Sequence, residues 1–251
     1  MDGRLTNGLR VGWVTPLAFY ENRTLVLRAL EDQGVLHRFF VREKDTGAQI
    51  GKPHHELRVG ARGILAVLFP PESESSEPLL TGIRLAFDQL APIGLKSVSV
   101  FTQHVLSLDQ NYDEARRALA SSVVCGLGER THASDSAVLF DGHWSHGGMS
   151  VEFGVVDSDE ISQRLIGGVG RAHPPRDALS HRILPDDLPG VALYIEANRT
   201  VDIPEGLGAS EFGTFLLERW REAADDSDEV ATLLLDQAPI RGSVRPEGAE
   251  S

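Results

Sequence analysis

The period of the hydrophobic pattern switches back and forth along this chain, and the order of those switches most constrains its fold. Residues 63–124 read strand, helix, strand, helix, and residues 149–224 repeat that order. In each case an earlier β-rich run precedes the series. GILAVLF (63–69) is continuously apolar, as expected of a strand buried on both faces. LKSVSVFTQHVLSL (95–108) alternates with period two. In EPLLTGIRLAFDQL (77–90), Leu79, Leu80, Ile83, Phe87 and Leu90 recur at helical spacing, and Pro78 suits a first turn. DEARRALASSVV (113–124) is an amphipathic helix.

The flanking segments extend the pattern. LRVGWVT (9–15) reads as a strand stopped by Pro16. ENRTLVLRALEDQG (21–34) reads as a helix with Asn22 as its N-cap and Gly34 as its stop. VLHRFFVRE (35–43) is a strand, and KDTGAQIGKP a polar turn leading to HHELRVG. SAVLFDGHW and MSVEFGVVD are β-rich, SDEISQRLIGG (158–168) is a short helix opening at Ser158, and VALYIEANRTV (191–201) is a strand. The last helix, 211–224, sets Phe212, Phe215, Leu216, Trp220 and Ala223 on one face. The acidic runs PPESESSEP (70–78) and EAADDSDEV (222–230) read as solvated connectors.

This order predicts an α+β fold of two related halves, each an antiparallel or mixed sheet with helices packed on one face. The halves fall at 1–128 and 129–237, with a flexible tail at 238–251. A single continuous sheet covered by helices is the competing arrangement.

Charge and cysteine content narrow the function classes. The net charge of −13 disfavours nucleic acid and anionic membranes as partners. No apolar run approaches the ~20 residues of a membrane span, and MDGRLTNGLRVGWV lacks the layout of a secretory signal. Cys125 is the single cysteine, so neither an internal disulfide nor a cysteine zinc site is available, and a reducing cytoplasm fits.

VREKDTGAQIGKPHHELRV, EPLLTGIRLAFDQL, LKSVSVF and VALYIEANRTVD carry a resemblance by order and spacing. Over roughly residues 10–224 the chain resembles a sporadically distributed family of uncharacterised bacterial proteins of similar length. It departs at 98–104, where VSVFTQH stands in place of an aromatic–asparagine strand. The resemblance implies a fold and a bacterial setting, and no activity.

DGHWSHGG (141–148) holds the best metal candidates: Asp141, His143 and His146 offer a carboxylate and two imidazoles suited to a divalent ion such as zinc. The same residues read as a hairpin turn in which Gly142, Gly147 and Gly148 supply positive φ and Trp144 forms a contact. The hairpin is the favoured reading, and no cofactor is expected. His104 becomes a pocket residue if it faces the same space as His143. GGVGR (167–171) follows a helix instead of opening one, so it reads as a stop and not a phosphate loop.

Two functions follow as expectations. The first is a non-catalytic adaptor, immunity-like or regulatory subunit in a bacterial assembly. It would meet a protein partner, or a second copy, through edge strands and the Trp13 and Trp144 regions. The second is a small enzyme or small-molecule binder with a His-lined pocket between the halves.

Overall fold

A computed structural model describes residues 3–13, 17–41, 45–50, 55–68, 77–90, 95–123, 137–144, 147–167, 188–207 and 209–237. Among the described residues the strands are β1 (Gly3–Trp13), β2 (Leu36–Val41), β3 (Asp45–Ile50), β4 (His55–Gly60), β5 (Gly63–Leu68), β6 (Leu95–Ser107), β7 (Ala137–Trp144), β8 (Gly147–Asp157) and β9 (Val191–Val201). The helices among them are α1 (Leu17–Asp32), α2 (Glu77–Leu90), α3 (Tyr112–Val123), α4 (Ser158–Gly167) and α5 (Ala209–Gln237). The fold is α+β, with one antiparallel sheet in the order β2-β3-β4-β5-β1-β6-β9-β8-β7.

Strand alternation sorts the side chains onto two faces. Leu9, Val11 and Trp13 of β1, Leu57 and Val59 of β4, Ile64 and Ala66 of β5, and Val98 and Val100 of β6 pack beneath α1, α2 and α5. Met149, Val151 and Val155 of β8 and Leu193, Ile195 and Ala197 of β9 continue that face beneath α3 and the far end of α5. The opposite face receives α4, whose Ile161 packs on Val105, Val156, Ala192 and Tyr194.

Several local expectations change. α1 starts at Leu17, so Asn22 lies inside the helix and is not its cap. Gly34 does end it: at φ 67° its N–H reaches the Glu31 carbonyl at 2.8 Å, and the Val35 N–H reaches Leu30. The expected polar turn at 44–53 contains β3, a strand held by β2 on one side and β4 on the other. Its Gly47, Ala48 and Gln49 carry little β-propensity, so pairing supplies what local preference does not. α4 is capped by the Asp157 carboxylate, which accepts the Glu160 N–H at 2.8 Å, and not by Ser158.

The largest correction concerns 222–230, expected as a connector and observed inside the 29-residue α5. Ala223, Ala224, Ser227, Val230 and Ala231 form a small, buried stripe there. The stripe lets the helix lie close to the sheet, with Asp226 and Asp228 beside it reaching Arg199 and His104 of the strands below. Running about 43 Å at 1.5 Å per residue, α5 joins the two apolar clusters: Phe212, Leu216 and Trp220 sit in one, Val230 and Ala231 in the other.

Candidate functional site

Two polar constellations occupy the middle of the sheet, one on each face. Beneath α5, the Trp220 indole N–H donates to Asn7 Oδ1, and His104 Nε2 donates to Asp228 Oδ1 at 2.7 Å. Arg199, only 3% exposed, forms an ion pair with Asp226. The carboxylates that read as solvent-facing are thus anchors: they meet a histidine and an arginine presented by neighbouring central strands. His104 Nδ1 and Thr102 Oγ1 are buried beside this seam without a hydrogen-bond partner among the described residues.

On the opposite face, Glu196 of β9 is the hub. Its Oε2 accepts the Tyr194 hydroxyl at 2.8 Å and Gln103 Nε2 at 3.1 Å. Gln103 Oε1 in turn accepts Thr6 Oγ1–H at 2.7 Å. Arg164 of α4 stacks 4.8 Å from the Tyr194 ring centre and donates to Glu152 at 3.0 Å and Glu160 at 2.8 Å. Burial pulls the Arg164 pKa down, but those two carboxylates outweigh it and hold the group above its ordinary value. Burial, followed by the Glu196 charge, pushes the Tyr194 phenol well up. Nearby, Gly8 leaves room for the Phe101 ring, and the Arg10 guanidinium lies 4.8 Å over that ring. Burial lowers the Arg10 pKa, partly countered by Glu196.

Sequence reasoning missed this hub. Gln103 and Glu196 lie 93 positions apart on two strands, and only the β6–β9 register, Gln103 opposite Glu196, brings them and Tyr194 together. The available signal was the glutamate and glutamine at inward positions of otherwise apolar strands.

The expected site residues are distributed differently. Asp141 and His143 lie two apart on β7, on one face and exposed. His146 lies outside the described residues, and among the described residues no group of three metal-ligating side chains assembles. His104 is on the α5 side, whereas His143 is on the α4 side with Glu152, so these two histidines do not line one pocket. Trp13, expected as a contact residue, is 2% exposed and belongs to the core. Its indole N–H reaches the Ala61 carbonyl at 3.1 Å and its ring meets Phe87 edge-on. Of the three turn glycines only Gly147 has positive φ, at 155°; a side chain there would overlap the Thr200 carbonyl of β9. Trp144 ends β7 opposite Gly147, so the hairpin is present, with a two-residue connection at 145–146.

β7 itself is the unusual surface. It is the last strand of the sheet, paired with β8 on one side and with no strand on the other among the described residues. Among the described residues, Leu139 at 65% and Phe140 at 59% are the most exposed of the large apolar side chains. An edge that no strand covers among the described residues, flanked by exposed apolar side chains, is a template for strand addition.

Comparison of the chain with protein-family models and with curated proteins found no match.

Proposed function

We propose that this chain is a non-catalytic adaptor, immunity-like or regulatory subunit that works through protein–protein contacts in a bacterial cytoplasm. The observation that supports this reading is the β7 edge, with Leu139 and Phe140 outward and no neighbouring strand among the described residues. A partner strand laid against β7 would pair with the edge that no described strand occupies and cover both side chains. The net charge of −13 favours a partner other than nucleic acid.

The element order also supports two related halves. One unit runs β1, α1, the meander β2 to β5, then α2; the other runs β6, α3, β7 to β9 with α4 inserted, then α5. In each unit the last meander strand returns to pair with the first, and β1 pairs antiparallel with β6 at the centre. On this reading the junction falls between α2 and β6.

The test is quantitative binding to a partner purified from the source cell. Leu139→Lys with Phe140→Ser is expected to weaken the complex about tenfold or more, by analogy with the loss of anchor residues at interfaces. An unchanged affinity, with the variant still folded, would place the contact elsewhere.

A further inference from the structure

We propose that the partner of β7 is β7 of a second copy, paired antiparallel across a twofold axis at Gly142. The inference rests on the contact reading above and adds the occupant and its register. A twofold axis perpendicular to the sheet keeps each side chain on its own face, so the residue on the axis meets itself and its neighbours exchange partners. With Gly142 on the axis, Asp141 of each copy stands opposite His143 of the other, and both residues are exposed on the same face. Two carboxylate–imidazole pairs then flank the axis, a complementary arrangement. Moving the axis to Asp141 would set two carboxylates face to face, and moving it to Phe140 would set Asp141 against Leu139.

The other face of β7 agrees with the same register. The Phe140 ring leans along its own strand over Gly142, its Cε1 lying 2.9 Å from where a β-carbon would stand. At an axis through Gly142 two bare backbones meet, and both rings lie over them. Each 59%-exposed phenylalanine then gains an apolar neighbour from the other copy. The paired sheets would form one continuous surface, closed by the symmetry instead of growing into a fibre.

The experiment uses the full chain with Cys125→Ala, which removes its only cysteine. Sedimentation across a concentration series is expected to show a reversible monomer–dimer equilibrium. Asp141→Lys, which places a cation against His143, should raise the dimer dissociation constant at least about tenfold. The exchange Asp141→His with His143→Asp should restore it, which a merely structural role for either residue would not do. Gly142→Cys should form an intermolecular disulfide on mild oxidation, because opposed residues of an antiparallel pair lie about 4.5–5.5 Å apart. Val138→Cys should not. A monomer at every concentration overturns self-pairing; the contact reading survives that result if Leu139 and Phe140 variants still lose a different purified partner, and falls with it if they do not. A dimer that ignores the charge exchange and crosslinks at 138 overturns the register.

Discussion

The two faces of the sheet are built from the same strands and held by different forces. The face under α1, α2 and α5 is largely a packing surface: Leu9, Val11, Trp13, Leu57, Ile64, Val98 and Val100 meet Phe19, Leu30, Leu79 and Ile83. The face toward α4 carries Thr6, Arg10, Gln103, Glu152, Tyr194 and Glu196, joined by hydrogen bonds, ion pairs and stacked guanidinium groups. β6 shows the contrast within one strand, because every residue from Val100 to Val105 is buried whichever way it points. The lesson is that burial alone does not separate core from candidate site here; the identity of the buried atoms does. Substitutions at the apolar positions of the first face should act through volume and be insensitive to pH, whereas those in the polar network of the second should act through charge and hydrogen bonding.

Leu30→Ala sharpens the comparison most strongly. Leu30 has no exposed surface, and a cavity there should cost about 3 kcal/mol in urea unfolding, equally at acid and alkaline pH. Gly8→Ala tests the opposite face sterically. The new β-carbon would overlap the Phe101 ring, so the ring and the Arg10 stacked on it must shift, at a cost of about 2 kcal/mol. A neutral result would show that this face yields where the helix-covered face does not. Trp220→Phe examines the polar seam beneath α5: it leaves Asn7 Oδ1 without its indole donor and should cost about 1 kcal/mol by thermal or urea unfolding.

Tyr194→Phe has the smallest effect at neutral pH and the clearest signature elsewhere. Burial and the Glu196 charge raise the folded-state pKa of Tyr194 above the unfolded value of about 10. The stabilisation is therefore fully present below about pH 10 and is lost as pH rises toward the folded value, because the unfolded phenol ionises first. Removing the hydroxyl should flatten the alkaline limb of the stability profile. An unchanged limb would mean that Tyr194 is not the group responsible for that loss.

Legibility in the sequence followed locality. α2, β5, β6 and β9 were readable to within a few residues, because helical period, apolar continuity and alternation are properties of the segment itself. β3 was not readable, since Asp45–Ile50 becomes a strand through its two neighbours. The acidic part of α5 misled for a related reason: five carboxylates dominate the composition of 222–230, while the small stripe of Ala223, Ala224 and Ser227 has meaning only against a sheet. For the candidate site, DGHWSHGG was visible as a hairpin, but not that its first strand would be an edge.

What the sequence by itself determined was the set of segments and the apolar period of each, because those preferences act over a single turn or pleat. Strand order belonged to the tertiary structure alone. It brought Gln103 to Glu196 and His104 to Asp228, turned Trp13 inward, and left Leu139 and Phe140 on the last strand. The physical reason is that hydrogen-bonded neighbours in a sheet are selected by the packing of the whole chain, and a strand carries no local record of which of its two edges will be covered.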